Sequence, residues 1–84
     1  MLELYQAEEC GYSAKVRKTL TDLGVSYTLH NPRSAAGETR NEQTRAELET
    51  LGGEDQIPFL VDHQHGVTMY ESDDIVAYLE AHYA

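Results

Sequence analysis

Eighty-four residues carrying 15 acids, six Lys or Arg and a net charge of −9 make one small acidic domain, able to bury only about 60 to 65% of its unfolded-chain surface. Such a chain repels phosphate backbones and anionic lipid, which argues against nucleic acid and membrane surfaces as partners. A single cysteine excludes an internal disulfide framework and a four-cysteine zinc site; no apolar stretch nears the roughly 20 residues of a membrane span, and Met1-Leu2-Glu3 lacks a signal-peptide start, so the expectation is a cytoplasmic protein in a reducing compartment.

The charge is uneven. All six bases (Lys15, Arg17, Lys18, Arg33, Arg40 and Arg45) precede Ala46, and no base follows it. An acidic, lysine-poor surface fits a halophilic cytoplasm as well as a merely acidic mesophilic protein. Its self-repulsion predicts stability that rises with salt.

In chain order, Leu2 and Leu4 alternate with Glu3 and Tyr5, the pattern of a half-buried strand. Cys10 stands where that run gives way to helical spacing at Tyr12, Val16, Leu20 and Leu23, stopped by Gly24. A sulfur at a helix N-terminus meets unpaired amides that favour its thiolate, which makes Cys10 a candidate nucleophile; the alternative is a small buried core residue. Ser13 can donate to that sulfur. Val25, Tyr27 and Leu29 alternate next, so a right-handed crossover makes the first two strands parallel.

Asn31 to Arg45 has no large apolar residue, so its first half reads as a solvated loop, with Thr39 and Glu42 as a capping box after it. Ala46, Leu48 and Leu51 before Gly52-Gly53 predict a short helix. Ile57 to Val61 reads as a strand covered on both faces, and Val67 and Met69 as its hairpin partner across Asp62-His63-Gln64-His65-Gly66. Asp62, His63 and His65 form either a polar turn or a metal clamp. Ser72 then caps a last helix whose core face is Ile75, Val76, Leu79 and Tyr83. The order β-α-β-α-β-β-α predicts an α/β thioredoxin-like fold: a four-stranded mixed sheet flanked by helices, with residues 1–84 as a single domain.

Pro58 breaks the rule against proline inside a strand. A cis Ile57–Pro58 bond would leave the Ile57 amide and carbonyl free to pair with an extended peptide, whereas a trans proline would only start the strand.

With these motifs in place, the chain resembles the glutaredoxin family and the N-terminal domain of glutathione transferases along essentially its whole length. Cys10-Gly11-Tyr12-Ser13 is similar to the monothiol glutaredoxin site and Ile57-Pro58 to the cis-proline element. In Tyr70-Glu71-Ser72-Asp73-Asp74-Ile75, Glu71-Ser72 is similar to the transferase pair that holds the γ-glutamyl group, and Asp73-Asp74 to the glutaredoxin pair. The resemblance implies catalysis by Cys10 with Ser13, and thiol-ligand binding by Tyr12, Ile57, Pro58, Glu71, Ser72 and Asp73. The ligand carboxylate would sit on the last helix's N-terminal amides, and its ammonium on Asp73 or Glu71; helix capping is the competing reading of Ser72 to Asp74.

Where the family commonly has a lysine before the cysteine, this chain has Gln6-Ala7-Glu8-Glu9. Two acids near the thiolate would raise its pKa, with Lys15 or Arg17 as possible compensation. The long polar loop alters the Arg40 side of the site. A ligand without the glycine carboxylate, such as γ-glutamylcysteine, would need no base there.

The expected activity is monothiol thiol–disulfide oxidoreduction of protein mixed disulfides, with glutathione or γ-glutamylcysteine as co-substrate. The second expectation is a [2Fe–2S] cluster bridged by Cys10 from two chains, the one case calling for a dimer rather than a monomer; otherwise no metal is implied. A transferase would need a helical second domain for its electrophile, which 84 residues do not accommodate.

Overall fold

The computed structural model describes residues 1–84. The elements are β1 (Leu2–Tyr5), α1 (Gly11–Leu23), β2 (Thr28–His30), α2 (Glu42–Gly52), β3 (Phe59–Asp62), β4 (Val67–Met69) and α3 (Ser72–Tyr83). The sheet order is β2-β1-β3-β4, with β2 parallel to β1 and the other pairs antiparallel. This is the thioredoxin-like fold that the element order predicts.

Strand periodicity divides the core in two. Leu2, Leu4 and Leu60 point to one face, where Val16 and Leu20 of α1 and Ile75 and Leu79 of α3 cover them. Tyr5, Phe59 and Val61 point to the other and meet Leu48 of α2. β1 is therefore not half-buried as its alternation predicts, because α2 also covers Tyr5, which is 2% exposed.

Three further expectations change. β2 starts at Thr28, since Val25 and Tyr27 pack against the first cluster before the chain reaches the sheet edge. The cap of α2 is Asn41, whose side chain accepts the Thr44 N–H at 3.0 Å. Thr39 instead bridges Arg33 across a closed loop and accepts a hydrogen bond from Arg45. That loop is not simply solvated. Ser34 is buried, its hydroxyl accepts the Glu38 N–H at 2.9 Å, and the Arg33 guanidinium donates to the carbonyls of Ser34, Ala35 and Asp55.

Gly52 is required where α2 meets β4's end. A Cβ there would lie 2.8 Å from Phe59 Cε1 and 2.6 Å from Tyr70 Cζ. The tyrosine cannot yield, because its hydroxyl donates to the Glu54 carbonyl at 2.6 Å and accepts the Glu54 N–H at 3.1 Å. Gly52→Ala is expected to cost about 1–3 kcal/mol by overpacking. Thermal melts check this, and a Gly52→Ala/Tyr70→Ala double variant, with the obstruction trimmed, should lose less stability than the sum of the two single losses.

Candidate functional site

β1, β2 and β4 end, and β3 begins, at one edge of the sheet. Cys10 follows β1 there as the N-cap of α1, with extended backbone (φ −83°, ψ 122°). Its thiol is partly exposed and held below the ordinary thiol range. Burial pushes the thiol pKa up, but the Ser13 amide and hydroxyl, the Tyr12 amide and the Arg17 guanidinium together outweigh it. The sulfur makes no capping hydrogen bond of regular geometry, so the amides act on it mainly as oriented partial charges. Ser13 is fully buried and its hydroxyl accepts the Ala7 N–H at 3.3 Å, which ties the turn before Cys10 to the helix after it.

The two acids before Cys10 do not act on it as their charge predicts. Glu8 lies 3.7 Å from Arg17, and a Glu9 carboxylate oxygen accepts the Ala35 N–H at 2.7 Å. That amide is the main reason the Glu9 carboxyl falls below its usual range. Nor does Lys15 serve the thiol; it pairs with Asp73. Arg17 is the compensating base, anchored on Gln6 and on the carbonyls of Ala7 and Glu8. Salt should therefore screen an attraction rather than a repulsion, and the Cys10 pKa is expected to rise between low and high salt. Alkylation rate against pH at two potassium chloride concentrations checks this; a pKa that falls would mean Glu8 and Glu9 face the sulfur.

Beside Cys10, on the β3 side, a cleft of about 550 Å³ is lined by Tyr12, Gln56, Ile57, Pro58 and residues Glu71 to Asp74. Cys10 and Ser13 are not in its wall, whereas Tyr12 stands at its mouth, 69% exposed. The Ile57–Pro58 bond is cis, and none of the loop and turn hydrogen bonds engages Ile57. Tyr70 steadies this wall from behind, with its ring 4.5 Å from Phe59.

Ser72 is not the cap of α3. Glu71 takes the N-cap position at φ 70°, a left-handed conformation uncommon outside glycine, and no side chain caps the helix. The first amides of α3 are thus unclaimed by side chains, and the Ser72 hydroxyl has no partner within the chain. Two of the cleft acids are already engaged: Asp73 by Lys15 and Glu71 by the Gln56 amide at 3.0 Å. Asp74 has no ion pair. The sequence reading missed Gln56; a polar residue directly before Ile57-Pro58 was its only signal.

The hairpin residues do not converge as a clamp. His63 pairs with Glu3, which also takes His30 at 2.7 Å, while Asp62 holds His65 at 2.8 Å. Glu3 is lowered by these contacts, that with His63 first.

A sequence profile described as glutathione S-transferase, N-terminal domain, matches residues 4–84. Among solved structures, a diazinon-metabolizing glutathione S-transferase of the silkworm Bombyx mori is 29% identical with a TM-score of 0.77, covering 99% of this chain and 38% of that one. Glutathione transferase E6 of Drosophila melanogaster is 27% identical with a TM-score of 0.80, covering 100% and 36%. A theta class glutathione S-transferase of Xanthomonas axonopodis pv. citri, with glutathione bound, is 26% identical with a TM-score of 0.74, covering 98% and 37%. The chain thus spans little more than a third of the length of these relatives. No curated protein matches it. No helix is long and apolar enough to cross a membrane. Profile, topology and structural neighbours agree, and the chain belongs to the glutathione S-transferase N-terminal domain family.

Proposed function

We propose that residues 1–84 act as one thiol–disulfide oxidoreductase unit of the single-cysteine kind, with a γ-glutamyl thiol, glutathione or γ-glutamylcysteine, as co-substrate. The observation that carries this reading is the Cys10 thiol, lowered at the N-terminus of α1 beside a cleft whose far wall is the uncapped start of α3. The Cys10 thiolate attacks the small-thiol sulfur of a mixed disulfide, forming a new S–S bond and releasing the other thiol as thiolate. A second small thiol then attacks the Cys10 disulfide, leaves as the oxidised small disulfide and returns the thiolate. In sum the mixed disulfide and one free small thiol become the released substrate thiol and the oxidised small disulfide, and Cys10 is regenerated. Ser13 cannot resolve the intermediate, so the cycle depends on the co-substrate.

In the cleft, the ligand α-carboxylate would take the free amides of α3 and the Ser72 hydroxyl. Asp74, the cleft acid without an ion pair, would meet the ammonium, with Asp73 and Glu71 as already shared neighbours. Tyr12, Ile57 and Pro58 would flank the cysteinyl part. Because Ser72 makes no capping bond, Ser72→Ala is expected to weaken binding by about tenfold or more, the worth of one hydrogen bond to a charged group, with little change in Tm. Calorimetric titration with glutathione and with γ-glutamylcysteine beside thermal melts tests it. A lower Tm with unchanged affinity would leave Ser72 a purely structural residue.

A further inference from the structure

The cleft beside Cys10 carries an internal electrostatic conflict. The uncapped amides of α3 suit a carboxylate, yet the wall around them holds three acids, Glu71, Asp73 and Asp74, and no base. A carboxylate that settles on those amides is repelled by all three, while the helix end offers only about half a positive charge in return.

One base reaches this wall from outside it. Lys15, on the exposed side of α1, pairs with Asp73, the second residue of α3. The other two acids have no such partner: Glu71 receives the uncharged Gln56 amide, and Asp74 makes no ion pair. Arg17 is held by Glu8, Lys18 by Asp22, and Arg33 and Arg45 by Asp55, so Lys15 is the one base whose ion pair lies in the cleft wall. Packing does not call for this contact. The two side chains are 51% and 81% exposed, and α1 and α3 meet the core through Val16, Leu20, Ile75 and Leu79 instead. The pair therefore acts on the charge of the cleft far more than on the fold.

We infer that Lys15 is a specificity-determining residue: by cancelling the charge of Asp73 beside the α3 amides, it admits ligand head groups that bear an α-carboxylate and disfavours those that bear an amine alone. The inference rests on the reading of this cleft as a γ-glutamyl site. A γ-glutamyl head carries both groups, its carboxylate meeting the amides and its ammonium meeting Asp74. A head with the ammonium alone gains nothing from the amides and would be held better by a cleft in which Asp73 is unpaired. Lys15 positions charge through Asp73 and exchanges neither proton nor electron with the thiol.

The test compares the dissociation constants of three thiols that share the cysteinylglycine part: glutathione, glutaryl-cysteinylglycine, which lacks the amine, and 4-aminobutyryl-cysteinylglycine, which lacks the α-carboxylate. Calorimetric titrations of wild type, Lys15→Gln and the Lys15→Gln/Asp73→Asn double variant are run at constant ionic strength, beside melts that show each protein to be folded. Lys15→Gln is expected to weaken the amine-free ligand on the order of threefold to fivefold and to tighten the carboxylate-free ligand by a similar factor, the size of an exposed charge interaction. In the double variant neither charge remains, and both constants should return towards wild type. A loss of structure cannot move the two ligands in opposite directions. A ratio of the two constants that keeps its wild-type value in Lys15→Gln, whether both ligands weaken equally or neither changes, would overturn the role of Lys15. Failure of wild type to bind any of the three would instead overturn the γ-glutamyl reading of the cleft.

Discussion

Replacing Cys10 with serine is expected to abolish reduction of mixed disulfides, because an alcohol oxygen cannot take the place of sulfur in the new S–S bond and no second cysteine exists to substitute for it. Ser13→Ala should behave differently. It removes the hydroxyl that lowers the Cys10 pKa and leaves the Ala7 amide without its acceptor. One hydrogen bond contributes about 0.5–1.5 kcal/mol, so the rate near neutral pH should fall about two- to tenfold while the rate above the thiol pKa is nearly retained. Steady-state rates from pH 5 to 10 separate the two variants. A Ser13→Ala protein as inactive as Cys10→Ser would mean that the hydroxyl takes part in the chemistry, and residual turnover in Cys10→Ser would end the mechanism.

The largest expected effect on stability is at Asp62. It is fully buried, and its carboxylate accepts hydrogen bonds from the amides of Gln64 and His65, from His65 Nδ1 at 2.8 Å, and from the hydroxyls of Tyr78 and Tyr83 at 2.6 and 2.8 Å. One side chain thereby closes the β3–β4 hairpin and fastens α3 to it. Asp62→Ala strips the acceptor from several donors at once and is expected to cost about 3–5 kcal/mol. For a domain of this size that lowers Tm by at least about 12 °C. Asp62→Asn, which keeps one acceptor oxygen and the shape, should lose less. Burial pushes the Asp62 carboxyl up, but the Tyr78 hydroxyl first, then the His65 ring, the Tyr83 hydroxyl and the His65 amide hold it far below the usual range. A depressed folded-state pKa means that its stabilisation is complete above the ordinary value of 3.8 and is lost as pH falls below it. Wild type should therefore lose stability steeply under acid, and Asp62→Asn should show a flatter acid limb. Equal slopes would place the acid sensitivity elsewhere, first on Glu3 with its two histidines.

What the sequence conveyed depended on whether a residue acts through periodicity or through direction. The α1 boundaries follow from Cys10 and Gly24, and the strand order follows from element lengths, because both depend on local spacing. Tyr5 was misread as exposed since α2 presents only Leu48 to the core, too narrow a stripe to reveal which sheet face it covers. The loop before α2 escaped hydropathy altogether, because Ser34, Arg33 and Asn41 hold it through hydrogen bonds rather than apolar contact. At the site, Cys10 and the Glu71-Ser72 pair were conspicuous as motifs. The directions of Glu8, Glu9, Lys15 and Arg17 were not, because charge type says nothing about rotamer, and their pairing reverses the expected influence on the thiol.

The single buried residue of α2 has a thermodynamic corollary. α1 and α3 bury six residues between them, Ser13, Val16 and Leu20 on one and Ser72, Ile75 and Leu79 on the other, whereas α2 has Leu48 alone, with Ala46 and Leu51 exposed. Releasing α2 exposes Leu48 and uncovers Tyr5, Phe59 and Val61 beneath it, a smaller apolar loss than parting α1 and α3 from the sheet, so its opening free energy lies under that of the α1–α3 layer. The domain is therefore expected to open as two units of unequal strength, a resilient layer that carries Cys10 and the α3 end of the cleft, and a weaker α2 flap. Local unfolding of α2 would bare the Tyr5, Phe59 and Val61 face of the sheet and leave the nucleophile standing.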